Sequence, residues 1–180
     1  SELTGYDAFA SRVPVRRAPG LLVRTPPTEP HLFARHILYT ADEGHLHIRP
    51  TPDGGLLVGA DDTDGLMGEE RDESAMREGA KRLLTRVYQY LPGLAQRHPM
   101  PELIEASQLK LGIRPVPQDS LPILGRMPGA TGLHVAVTHS GITLAPRIGE
   151  LIADGIQLGK APDDLGPFSF DRFQSGPTNS

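Results

Sequence analysis

Apolar and polar positions alternate most strictly at His45–Arg49, where Leu46 and Ile48 fall on one side and His45, His47 and Arg49 on the other. Two more short apolar runs flank this segment, His36–Thr40 and Leu56–Ala60. Asp42-Glu43-Gly44 and the Pro52–Gly55 stretch separate them and are turn formers. The pattern predicts an antiparallel meander of three strands. Upstream, Val13–Arg17, Pro19-Gly20 and Leu21–Val23 read as strand, turn and strand. Pro26, Pro27 and Pro30 then predict a loop, and Ser1–Ser11 are weakly patterned.

The period changes to that of a helix after Asp72. Met76, Ala80, Leu83, Leu84, Val87 and Leu91 recur on one face, and Arg77, Glu78, Lys81, Arg82 and Arg86 occupy the other. Asp72 is placed to cap this helix, with Glu73 favourable in its first turn, and Pro92-Gly93 to end it. Asp61–Gly68, acidic and Gly-containing, is expected to be a solvated loop. Leu103–Ile113 reads as one long strand, and Pro115, Pro117 and Pro122 predict an irregular loop after it. Leu133–Val137 is a compact strand that turns through Thr138–Gly141 into a second helix, Ile142–Ile156, with Pro146 near its start. The tail after Lys160 carries Phe168, Phe170 and Phe173 as docking anchors, and Gly176–Ser180 are expected to fray. The fold class that results is α+β, a mostly antiparallel sheet covered by helices.

Composition narrows the chemistry. The 180 residues contain no cysteine, which excludes disulfides, thiolate catalysis, Cys-ligated zinc and a cysteinyl-linked flavin. A net charge of −4 gives no sign of nucleic-acid or membrane-surface binding. No apolar run approaches the ~20 residues of a membrane span and no signal peptide opens the chain, so the expectation is a cytoplasmic protein. His45 and His47 share a strand face if the alternation holds, but no further ligand stands at a metal-site spacing. The Asp61-Asp62-Thr63-Asp64 run lacks the spaced Gly and terminal Glu of a calcium loop. No nucleophile elbow surrounds Ser140.

Four segments carry more specific information: Leu111-Gly112-Ile113-Arg114-Pro115; Gln118–Gly125, an Asp followed by Pro-Ile-Leu-Gly; Gly132–Pro146, a strand entering a His/Gly loop before a helix; and His45–Ala60, two strands around a Gly turn. In this order they resemble the C-terminal half of the family that contains D-amino-acid oxidase, glycine oxidase and sarcosine oxidase. The resemblance runs from about Val13 to Phe173 and includes the Leu91–Leu94 helix end. The Gly-x-Gly-x-x-Gly turn with which the family begins does not occur. A dinucleotide-binding half in a missing N-terminal segment or a second chain is therefore expected.

The resemblance implies oxidation of an amine or amino acid to an imine with FAD as cofactor. Arg114 would pair with the substrate carboxylate, for which the guanidinium offers a planar fork; a structural ion pair is the alternative. His139, Ser140, Gly141, Ile142 and Thr143 would face the flavin, chiefly through backbone N–H groups at a helix N-terminus. His47 stands where glycine oxidases place a pocket tyrosine, and Tyr39 is a second pocket candidate; an exposed strand histidine and core packing are their alternatives. By the same resemblance, residues 12–112 would form a substrate-binding domain, 113–160 the last strand and helix of a FAD-binding domain, and 161–180 a tail. The rival expectations are a non-catalytic small-molecule-binding module and a structural subunit of a two-chain oxidase.

Overall fold

The computed structural model describes residues 11–29, 36–42, 44–160 and 162–174. The first ten residues, Pro30 and the Gly176–Ser180 tail, on which expectations fell, lie outside these. Two compact units are present, one of residues 18–114 and one of residues 1–17 with 115–180.

The first unit is built on the meander. Strands β1 (Val15–Arg24), β2 (Leu38–Tyr39), β3 (His47–Pro50), β4 (Leu56–Gly59) and β5 (Gln108–Pro117) form a sheet of order β2-β3-β4-β1-β5. β2–β3, β3–β4 and β1–β4 pair antiparallel, with Ile48 opposite both Leu38 and Val58, and Val58 opposite Val23. The expected strand-turn-strand at the start is one continuous strand, β1. Pro19 is tolerated because odd residues of β1 point their N–H groups towards β4, as Thr25 does to Leu56 O at 2.9 Å, and β4 ends at Gly59, so no ladder donor is lost at Pro19.

Helix α1 (Asp61–Asp64) takes the first half of the expected acidic loop, residues 65–68 remaining turn and loop, and α2 (Glu73–Tyr90) is the long helix of the pattern. The Asp72 carboxylate accepts from Ser74 N at 2.8 Å and Ala75 N at 3.1 Å, as its cap position requires. Met76, Ala80, Leu83, Leu84 and Val87 of α2 are at most 1% exposed and pack on Leu21, Val23, Ile48, Leu56 and Val58 of the sheet. α2 stops at Tyr90, just before Pro92-Gly93 as expected, and Pro92 opens a separate short helix, α3 (Pro92–Arg97). The single long strand expected over Leu103–Ile113 is instead α4 (Met100–Ala106) followed by β5. Pro101 fits the first turn of a helix, and Met100, Leu103 and Ile104 then turn together towards the core. β5 runs on through Pro115 and Pro117, so the irregular loop is confined to 118–122.

An Arg86 clamp ties α2 to the meander. Its Nη2 donates to both oxygens of Asp42 at 2.8 and 2.9 Å, and its Nη1 to Asp62 at 2.9 Å. The Thr40 hydroxyl, 2.6 Å away, and this guanidinium hold the Asp42 carboxyl at a pKa of about 2. The folded value lies below the unfolded value of about 3.9. The stabilisation is therefore complete above about pH 5 and is lost as pH falls through about 4 towards 2. We expect the stability gap between the wild type and Asp42→Asn to narrow over that interval in acid titrations followed by circular dichroism; a gap constant down to pH ~2 would contradict the assignment.

The second unit holds β6 (Ile123–Arg126) and β7 (His134–Val137), paired antiparallel, and α5 (Gly141–Leu158). Two 3-10 segments, Asp163–Phe168 and Phe170–Phe173, close it. Phe170 is 5% exposed against Ile123 and Met127 and meets Phe173 edge-on, so the tail anchors act as expected. Arg172 holds the tail in place: Nε and Nη2 grip Asp119 at 2.6 and 3.0 Å, and Nη1 donates to Phe168 O and Ser169 O.

Candidate functional site

In the first unit, alternation along each strand separates a face buried under α2 from an opposite face. Tyr39 pairs with His47 and His47 with Gly59 across β2, β3 and β4, and all three lie on the opposite face. The His47 ring stacks on Tyr39, with centroids 5.6 Å apart and planes at 28°, and lies across Gly59. A Cβ at Gly59 would stand 2.7 Å from His47 Cε1 and Nε2 and 2.9 Å from Leu22 Cδ2, so this glycine makes room for the ring. Burial of the imidazole lowers the His47 pKa, which favours the neutral form at pH 7. We expect Gly59→Ala to push the ring outward and raise that pKa, read by NMR titration of His47; an unchanged titration would mean the ring does not depend on the gap. His45 does not share this face. It takes φ 44° before β3 begins, and its Nδ1 lies 3.2 Å from Asp61 Oδ2.

Arg114 is on the same face as His47. On β5, Leu109 and Leu111 pack towards the core, so Lys110, Gly112 and Arg114 point the other way. The Arg114 side chain crosses β1 over Gly20, where an added Cβ would lie 3.2 Å from its guanidinium carbon. It reaches Asp64: Nη2 donates to Oδ2 at 2.7 Å and to Pro19 O at 3.3 Å. Asp64 Oδ1 accepts the Leu21 N–H at 2.8 Å, the donor that β4 would have met had it continued. Asp64 is thus no solvated loop residue: its side chain is 13% exposed. Burial pushes its carboxyl pKa up, opposed by the Leu21 N–H and Arg114. The three substrate-site candidates, Arg114, His47 and Tyr39, therefore share one sheet face. His47 and Arg114 sit three strands apart, about 14 Å at the backbone, and the crossing of Arg114 over β1 shortens that gap.

In the second unit, His139 and Ser140 are exposed in the turn entering α5, and Ile142 is 95% exposed in its first turn. Ser140 makes no side-chain cap, and the first helical bond runs from Leu144 N to Ser140 O. The N–H groups of Gly141, Ile142 and Thr143 are left as outward donors at the positive end of the helix dipole. Such an uncapped end suits an anionic or carbonyl oxygen. Beside it, α5 has one buried residue, Leu151. Gly141, Ala145, Gly149 and Ala153, spaced by four, line an open apolar groove of about 440 Å³ with Ile152 and Ile156. A helix this apolar with this face uncovered is built to pack against something.

The antiparallel sheet under a long helix, with a second β-hairpin and helix, is a mixed α/β arrangement. The chain belongs to the FAD dependent oxidoreductase family, which it matches over residues 2–155. It is 35% identical over 128 residues to glycine oxidase of Geobacillus kaustophilus, covering 70% of this chain and 31% of that protein. It is 32% identical over 161 residues to the bifunctional protein ThiO/ThiG of Trichormus variabilis, covering 88% of this chain and 22% of that protein. The solved glycine oxidase of G. kaustophilus superposes with a TM-score of 0.66 at 28% identity, over 89% of this chain and 40% of that one. L-proline dehydrogenase from P. horikoshii shares the fold with a TM-score of 0.66 at 21% identity, over 91% and 41% of the two chains. The chain thus spans less than half the length of these relatives. The family's cofactor is FAD. Among the described residues no helix is long and apolar enough to cross a membrane.

Sequence reasoning missed two residues that matter here. In sequence Asp64 stands among several acids, and Gly20 follows a proline as turn glycines do. The only available signal for Gly20 was a glycine between apolar strand residues, which marks a close approach as often as a bend.

Proposed function

We propose that this chain supplies the substrate-facing sheet and the flavin-facing helix end of an oxidase that converts an amino acid to its imine. The observation that carries the reading is the common face of Arg114, His47 and Tyr39, in a chain of this family. Arg114 anchors the substrate carboxylate, His47 and Tyr39 wall the pocket, and neutral His47 adds no charge that would repel an ammonium. His139–Thr143 hold the flavin edge through the Gly141, Ile142 and Thr143 N–H groups, the side chains of His139 and Ser140 standing at its rim. FAD, when bound, accepts the two electrons of the oxidation. Residues 12–112 act as the substrate domain and 113–160 as the end of the FAD domain. The apolar groove of α5 receives a dinucleotide-binding half, from the same polypeptide or a second one.

The test is anaerobic bleaching of the flavin in the complete, FAD-loaded protein. Amino acids should bleach it at least about tenfold faster than amines of equal size that lack a carboxylate. Bleaching by neither, or a protein that retains no FAD, would sink the reading. The groove makes its own prediction. Among the described residues a Cβ at Gly149 would meet nothing within 4 Å, so Gly149→Val should leave the fold of the chain intact. It should nevertheless abolish flavin retention in the complete protein by keeping the second half away, read from the visible absorption after desalting. Full retention by Gly149→Val would show the groove is not that interface.

A further inference from the structure

We infer that Asp64 is the positioning residue for Arg114, holding the guanidinium so that one nitrogen, Nη1, is presented to the substrate carboxylate. The inference rests on the reading of Arg114 as the carboxylate anchor. Two other arginines show why Arg114 is unlike a structural tie. Arg86 commits Nη1 and Nη2 to two aspartates, and Arg172 commits Nε, Nη1 and Nη2 to Asp119 and to carbonyls. Arg114 commits Nη2 alone, to Asp64 Oδ2 and Pro19 O. Its Nε is buried without a partner, and among the described residues Nη1 meets no acceptor. A pair selected only for stability would engage a second nitrogen, because an unpaired buried N–H carries a desolvation penalty.

The arrangement instead fixes the fork and spares one end of it. Asp64 cannot swing, since its other oxygen is tied to the Leu21 N–H at 2.8 Å. Gly20 forms the floor, with the guanidinium 3.2–3.3 Å from where a Cβ would be. Arg114 is therefore clamped from the side by Asp64 and from below by β1, while its side chain stays 41% exposed. Asp64 also places a negative charge near the incoming carboxylate. Its removal should strengthen anion binding while loosening the orientation on which turnover depends.

The experiment uses Asp64→Asn, which keeps an oxygen for the Leu21 N–H and removes the charge. In the complete flavoenzyme with glycine as substrate, we expect kcat to fall about tenfold or more while KM falls with it. Acetate, a carboxylate probe without an amine, should bind at least about twofold more tightly, read from the Arg114 Nε–Hε NMR signal. A merely structural role would lower the amount of folded enzyme and leave kcat, KM and acetate affinity of the folded fraction unchanged; that result overturns the inference. If Asp64→Asn fails to fold, Gly20→Ala serves in its place, because it shifts the guanidinium by a few tenths of an ångström with Asp64 intact. It should lower kcat, and an unchanged kcat would again overturn the inference. Arg114→Lys with unaltered KM and acetate binding would instead defeat the anchor reading itself, whatever Asp64 does.

Discussion

Arg114→Ala in the complete flavoenzyme is expected to lower kcat/KM for amino-acid oxidation by about 100-fold. A carboxylate-free amine of the same size should change by less than about threefold. The difference follows from geometry. Arg114 crosses β1 to the edge where β4 ends and lies on the face that carries His47 and Tyr39, with Nη1 uncommitted. A carboxylate held there fixes the α C–H of the substrate, and losing that orientation acts on the transition state more than on binding. The variant also leaves Asp64, 13% exposed, without its cation. Because the arginine itself is 41% exposed, that loss is screened and should cost only about 1–2 kcal/mol. Arg114→Lys separates the two effects: it restores the charge beside Asp64 but not the planar fork. Recovered stability with kcat/KM still depressed supports the anchor. Equal losses on the amino acid and on the amine would make Arg114 a structural tie alone.

What the sequence made legible is what short-range pattern encodes. Leu46 and Ile48 alternate with His47, and the meander and its buried face follow from that. Asp72 sits one residue before a 3.6-period run and caps it. The Leu133–Val137 strand and the helix after Gly141 come within two residues of β7 and α5. The errors have physical causes of two kinds. Leu103–Ile113 mixes apolar and polar residues with an ambiguous period, and Pro99 at the cap and Pro101 in the first turn favour the helix Met100–Ala106 more than the run itself does. Asp64 looks like one charge among several because its partners, Leu21 and Arg114, are 43 and 50 residues away. Asp119, quoted within a motif, likewise meets Arg172 across 53 residues. Gly20 is a glycine because a side chain from another strand passes over it, and no local pattern encodes that. The contacts that Asp64 and Gly20 make with Arg114 were thus beyond the reach of local pattern.

Gly79→Val is expected to destabilise the first unit by about 3 kcal/mol, at the upper end of what overpacking costs. For a body of about this size that corresponds to a fall in Tm of more than about ten degrees. Gly79 is buried on α2 against Leu21 of the sheet. A Cβ there would stand 2.6 Å from Leu21 Cδ2 and 3.2 Å from both Met67 Cε and Thr63 Cγ2. Alanine shows the balance of effects. It gains about 1 kcal/mol of helix propensity, which offsets part of the same clash, so Gly79→Ala should fall between the wild type and valine. The position also bears on the site. Leu21 donates its N–H to Asp64, and Thr63 precedes Asp64 in α1, so two of the three side chains that would have to yield belong to residues whose backbone positions the Asp64 carboxylate. In the complete flavoenzyme, Gly79→Ala should therefore lower kcat for amino acids even at a temperature where it is fully folded, although it lies on the far side of the sheet from Arg114. Thermal unfolding and turnover on the same preparation check this. A destabilised Gly79→Ala with wild-type kcat would show that the sheet absorbs the displacement before it reaches Asp64.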